Sequence, residues 1–283
     1  MSKLLEILLV DNERIVLVLG LHGMGKSGFV RNTLHYVADR KIFTGCILFV
    51  DLGNKRTNFA MIKLIMQSIT ESLDVTHEEK LKIFEDNFTQ EDMIEYLRRF
   101  FNKKLSTSYR FKKEKSKGNN SAQNQLFLIC LDNVSTLIEH NREEFVQFLS
   151  LMYNECPNLR IIITSNSDIG HIPNNNMVIK PYLLQQLKDS DSVRLFLENC
   201  KEISSEEILE LILVDKNFPY NLFLSSLRDY DSNSIIEVTP ELKNELRRKV
   251  SNSMNWTPML AHHDMFRHLH GNPTSITMMA SIH

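Results

Sequence analysis

The chain has 283 residues, 42% of them hydrophobic and 24% charged, with a formal net charge of −2. That length holds one large domain or two modest ones, and the near-neutral balance speaks against a generally basic nucleic-acid binder. Collagen-like, low-complexity and largely disordered classes are excluded.

Residues 1–10 (MSKLLEILLV) are apolar, but Glu6 interrupts them and no small-residue cleavage site follows. Residues 15–19 (IVLVL) form a short β-branched and leucine run that suits a buried parallel strand. Residues 26–38 carry apolar side chains at helical spacing. A second buried run, 46–52 (CILFVDL), precedes a helical stretch at 58–73, and two further amphipathic pieces follow before residue 103. Residues 103–124 hold seven Lys/Arg against the single Glu114. They read as a solvated loop; Tyr109 and Phe111, interleaved with the charge, keep a nucleic-acid or acidic-lipid patch over 103–117 as the alternative.

A third run, 126–131 (LFLICL), ends in Asp132. A helix is expected over 142–155, a fourth strand over 159–164, and Val178-Ile179 is the candidate fifth. Strands alternating with helices imply a parallel sheet covered on both faces. After Pro181 the pattern is helical throughout, at about 186–200, 204–214, 220–229, 240–253, 262–269 and 273–282. The expected architecture is therefore an α/β domain over 1–182 and a small helical domain over 183–283.

The four cysteines (Cys46, Cys130, Cys156, Cys200) are widely separated and form no C-x-x-C pair, as in a reducing compartment. No apolar run approaches the roughly 18 residues of a membrane span. A cytoplasmic protein with no membrane partner is the expectation.

Glycine is scarce, nine in all, yet Gly20, Gly23, Gly25 and Gly28 fall within nine consecutive positions. Gly20-Leu21-His22-Gly23-Met24-Gly25-Lys26-Ser27 fits G-x-x-x-x-G-K-[ST] without a mismatch, with a strand before it and a helix after it. A phosphate wrapped by successive backbone N–H groups needs a loop that bends where only glycine is comfortable, and it then lies on the positive end of the helix. Lys26 reaches the β- and γ-phosphates, Ser27 ligates Mg²⁺, and Gly28 lets the helix approach the sheet or the nucleotide.

Asp132, an acid closing an apolar strand, is the expected second Mg²⁺ anchor, acting through water. Lys26 and Asp132 are the candidate catalytic pair. Asn133 stands where a hydrolytic enzyme would often carry a second acid, and an amide is no base at neutral pH, so fast hydrolysis is not expected. Thr164-Ser165-Asn166 ends the fourth strand, where a polar residue either senses the γ-phosphate or simply starts a turn.

At this point the residues resemble the NB-ARC type of STAND P-loop NTPase, the nucleotide-binding module of apoptosome scaffolds and plant immune receptors. LVLGLHGMGKS and the stretch from Leu126 to Asn166, with Leu131-Asp132-Asn133 and Cys156-Pro157-Asn158, carry the resemblance, joined by Pro181–Cys200. Leu269-His270-Gly271-Asn272-Pro273 looks like the family's G-x-P motif, whose proline lines the adenine side; by itself Asn272-Pro273 is a good helix-capping pair. Asn217-Phe218-Pro219 is a weaker candidate for that role.

The resemblance implies an ATP/ADP- and Mg²⁺-binding signalling switch with slow or no hydrolysis that controls self-association. It departs from the family at Asn166, usually Arg, and at Asn133. Nothing corresponds to the winged-helix, effector or repeat parts, so the chain reads as the core of a longer switch. The alternatives are an AAA+-like ATPase or P-loop kinase with true turnover, or a scaffold with structural ADP. His262, His263, His268 and His270 lie close in sequence but not at the i, i+4 spacing of a helical metal pair; a polar helix rim is expected.

Overall fold

The computed structural model describes residues 1–72, 89–102, 126–170, 176–200, 204–214 and 256–281. The basic segment, the helices expected at 220–229 and 240–253, and Asn217-Phe218-Pro219 lie outside the described residues.

Five parallel strands form one sheet: β1 (Ile15–Leu19), β2 (Ile47–Asp51), β3 (Phe127–Asp132), β4 (Leu159–Ser165) and β5 (Ile179–Leu183), in the order β2-β3-β4-β1-β5. Side chains alternate across a strand, so each strand feeds two cores. Ile15, Leu17, Val50, Ile129, Leu131, Ile161 and Ile163 face one of them, with α3 (Asn58–Ser72), α4 (Gln90–Asn102) and α5 (Ser135–Glu155) packed over it. Val16, Val18, Leu128, Cys130 and Ile162 face the other, under α1 (Ser2–Leu9) and α2 (Lys26–Asp39). This is the expected P-loop NTPase fold, an α/β three-layer arrangement around a five-stranded parallel sheet.

Three local differences from the sequence expectation have physical causes. The apolar N-terminus is a helix, because Leu4, Ile7 and Leu8 recur at helical spacing and are all buried. The helix expected from residue 142 starts at Ser135 and is interrupted at Asn141 (φ −149°, ψ 44°), so periodicity revealed only its second segment. The fifth strand runs two residues past Pro181, the point where the pattern changes. A proline is tolerated there because β5 is an edge strand, bonded only to β1.

The chain divides into two compact units. One comprises residues 1–21 and 26–184; the other comprises 22–25 and 185–283. In the second unit α6 (Asp189–Asn199), α7 (Ser205–Val214), α8 (Thr257–Leu260), α9 (Asp264–His268) and α10 (Pro273–Ala280) enclose a separate core. Phe196 and Phe266 meet edge to face there, with ring centroids 5.4 Å apart. No strand follows β5 among the described residues.

Candidate nucleotide-binding site

Parallel strands all end on one side, and open α/β sheets bind ligands at those carboxyl ends. The sheet order sets β4 between β1 and β3, so residues at the ends of all three converge. Lys26, the first residue of α2, follows the loop that leaves β1, and its side chain is only 8% exposed. All three of its ammonium protons have acceptors: Gly20 O at 2.7 Å, Leu21 O at 2.9 Å and Asn166 Oδ1 at 2.5 Å. Burial pushes its pKa below the ordinary lysine value, and the nearby Asp132 opposes that shift.

Asp132 closes β3 and is fully buried. Its Oδ1 accepts from Ser27 Oγ at 3.0 Å and from Thr164 Oγ1 at 2.5 Å. Thr164 Oγ1 in turn accepts from the Asn133 N–H at 3.0 Å, and Ser135 Oγ accepts from the Asn166 N–H at 2.9 Å. A carboxylate buried with only hydroxyl donors on that oxygen, beside a second oxygen ligand, fits Mg²⁺, a cation usually held by one or two carboxylates plus phosphate oxygens and water. Ser27 and Asp132 are the residues that would hold it. No group of three or more His, Cys, Asp or Glu side chains with metal-binding geometry occurs among the described residues.

Asn166 thus lies beside Lys26 instead of merely starting a turn. Thr164 entered the motif reading only as part of a polar strand end, and Ser135 and Asp51, whose Oδ1 accepts from Asn133 Nδ2 at 2.9 Å, did not enter it at all. Thr164 and Ser135 are ordinary strand-end and helix-start residues in sequence; only the placement of β4 next to β3 gives them partners. Asp51 ends β2 just as Asp132 ends β3, and that parallel was available in the sequence.

Gly20 and Leu21 offer their carbonyls to Lys26, and Leu21 itself is exposed. His22, Gly23, Met24 and Gly25 group with the second unit, where the start of α10 meets them. Asn272 accepts from the Thr274 and Ser275 N–H groups through Oδ1 and donates to His22 O at 3.0 Å through Nδ2. Thr274 Oγ1 donates to Gly23 O at 3.1 Å. Pro273 stands at the first turn of α10 with its Cγ 3.7 Å from where a Gly25 Cβ would be. Gly23 has φ +79°, and a Cβ there would lie 2.7 Å from Asn272 Oδ1, so glycine is required at this loop position.

Of the two expected reasons for Gly28, close approach to the sheet is not needed. Nothing lies within 4 Å of a Cβ built there, so packing of α2 on the sheet does not need a glycine. Gly28→Ala should raise the thermal midpoint by about 2–4 °C through helix propensity, with ADP affinity unchanged. A tenfold loss of affinity by calorimetric titration would instead assign the glycine to the nucleotide.

His263 is engaged by backbone at both ring nitrogens: Nδ1 accepts from the Met265 N–H at 3.1 Å, and Nε2 lies 3.0 Å from Leu211 O. It is a structural residue of the second unit. Burial pushes the Cys46 thiol up to about 12 and raises Cys130 as well; all four cysteines are free.

No protein-family model matches the chain, and the search of curated proteins finds no match. Among solved structures it is similar to Drosophila ORC bound to DNA (18% identity, TM-score 0.47), covering 98% of this chain and 66% of that one. A Walker-type ATPase of Pyrococcus abyssi is similar at 17% identity and TM-score 0.45, over 82% of this chain and 67% of the other. The Aeropyrum pernix ORC2 protein in ADPNP–ADP complexes is similar at 13% identity and TM-score 0.47, over 75% of this chain and 54% of the other. The chain thus spans less than two thirds of the first and third of these proteins. With identities of 13–18% and TM-scores of 0.45–0.47, these likenesses carry no argument about this chain.

Proposed function

We propose that this chain is an adenine-nucleotide-binding switch of the NB-ARC/STAND type, acting in the cytoplasm. One observation carries the reading: Lys26, Ser27, Asp132 and Asn166, from three different parts of the sequence, meet at the carboxyl ends of β1, β3 and β4. Lys26 would move from the loop carbonyls to the β- and γ-phosphates. Ser27 and Asp132 would hold Mg²⁺, Asp132 through water. Asn166, already bonded to Lys26, would register the γ-phosphate. The loop Gly20–Ser27 would wrap the phosphates, and Pro273 would line the adenine.

The α/β domain (1–182) serves as the phosphate-binding part and the helical domain (183–283) as the part that closes over the base. Diphosphate and triphosphate forms would then differ in how the two domains are arranged, and so in self-association. The bond from Lys26 to Asn166 supports a γ-phosphate response without the arginine that the family usually carries there.

The test begins with the purified chain. Nucleotide released on denaturation is identified by chromatography, and ADP, ATP and GDP are titrated by calorimetry with Mg²⁺ present. Saturable binding of both adenine nucleotides, weaker GDP binding, and a mass by light scattering that differs between ADP and ATP are expected. No saturable binding would end this reading; binding with an identical mass in both states would leave a scaffold with structural nucleotide.

A further inference from the structure

Asn133 occupies the position beside Asp132 where a second acid would serve hydrolysis, and the neighbouring strand brings a carboxylate to it. Asp51 ends β2 in register with Asp132, one strand spacing of about 4.8 Å away. Its Oδ1 accepts from Asn133 Nδ2 at 2.9 Å and from the Gly53 N–H at 3.0 Å. The same Asn133 amide lies 3.4 Å from Asp132 Oδ2, so it bridges the two carboxylates.

Asn133 is itself held. Its backbone sits in the left-handed region at φ 60°, and its N–H donates to Thr164, the residue that also donates to Asp132. A chain of hydrogen bonds therefore runs from Ser27 through Asp132 and Asn133 to Asp51. Two donors fix one oxygen of Asp51, while Oδ2 has no partner among the described residues and the residue is exposed. A carboxylate held in this way, facing solvent at the phosphate end of the sheet, is suited to orienting a water molecule.

We propose that Asp51 orients the attacking water in a slow Mg²⁺-dependent hydrolysis of ATP, with Asn133 as the positioning residue that holds it. The inference rests on the reading of the site as an ATP site. In the reaction the water oxygen bonds to the γ-phosphorus, and the bond from that phosphorus to the β,γ-bridging oxygen breaks with its electron pair left on ADP. One water proton passes to a γ-phosphoryl oxygen and leaves with inorganic phosphate. Asp51 accepts a hydrogen bond from the water and remains ionised throughout.

The experiment compares wild type, Asp51→Asn and the exchanged pair Asp51→Asn/Asn133→Asp. Affinity is read by calorimetry with the non-hydrolysable analogue AMP-PNP, with and without Mg²⁺, and phosphate release is read in single turnovers of ATP. Asp51→Asn keeps the shape and the Oδ1 acceptor for Asn133, so folding and AMP-PNP affinity should stay within twofold. Phosphate release should fall at least tenfold, and the exchanged pair should regain much of it.

Three results would overturn the proposal: no phosphate release by wild type that binds AMP-PNP, wild-type release by Asp51→Asn, or a loss in Asp51→Asn confined to Mg²⁺-dependent affinity. The last would make Asp51 a Mg²⁺ anchor. Failure of wild type to bind AMP-PNP at all would instead remove the ATP-site reading, and this inference with it.

Discussion

Lys26→Met is expected to weaken ADP and ATP binding at least a hundredfold while leaving the protein folded. An ammonium placed on phosphate oxygens makes charge-assisted bonds of about 1.5–3 kcal/mol each, and two of them correspond to that loss. The side chain is nearly buried, and burial disfavours its charge. A methionine of similar length removes that cost. It leaves Gly20 O, Leu21 O and Asn166 Oδ1 without their donor, but the exposed loop lets water replace it.

The thermal midpoint should therefore change little, which separates lost binding from lost folding. The pH dependence has a definite sign. Because the folded protein holds Lys26 below its ordinary value, it binds fewer protons than the unfolded chain between the two values, so stability gained from this group grows as pH rises through that window. Lys26→Met should flatten that alkaline slope in urea titrations. Binding that survives within threefold would show that the loop does not hold phosphate.

Gly271→Ala is expected to unfold the second unit, with a loss of more than about 3 kcal/mol. Gly271 has φ +60°, and a Cβ there would stand 2.3 Å from Leu187 O and 2.8 Å from Leu187 N. Both obstructing atoms are backbone, and the Leu187 N–H donates to Gly271 O at 3.1 Å, so a shift that relieves the clash breaks that bond. The sequence holds a single tryptophan. It is Trp256, 6% exposed within the second core, so its emission reports this unit alone. A red shift of that emission in Gly271→Ala, with far-ultraviolet helix and strand signal from the α/β unit retained, is the expected result. A blue, native-like emission would mean that the Leu187 segment yields cheaply.

The same residue illustrates how far the sequence could be read. Gly271 stands out as one of the few glycines beyond the phosphate loop, and it heads the G-x-P pattern whose proline carries the expected role at the nucleotide. Its structural necessity comes from Leu187, more than eighty positions earlier, and no local pattern records that contact. Asn272-Pro273 behaves as its capping chemistry dictates, with Oδ1 accepting from Thr274 and Ser275. Its second bond, to His22 O, joins segments 250 positions apart and has no counterpart in spacing.

The elements show the same division. Continuous apolar runs marked β1, β2, β3 and β4, because strands covered on both faces need apolar residues at every position. β5 was only glimpsed at Val178-Ile179, because an edge strand with Lys180 and Pro181 exposed lacks that run. The kink at Asn141 concealed the first turns of α5 for a similar reason: periodicity measures phase, and phase was lost there.

From residue order alone followed the alternation of strand and helix, the phosphate loop and the acid that closes the third run. Each depends on chemistry local to a few neighbouring positions: pleat, helical repeat, glycine's backbone freedom. Strand order came only with the folded chain. By inserting β4 between β1 and β3 the fold set Thr164 against Asp132 and Asn166 against Lys26. By pairing β2 with β3 it brought Asp51 to Asn133. Hydrogen bonds between strands depend on register across tens of residues, and register is decided when the two cores pack, not by the residues that end the strands.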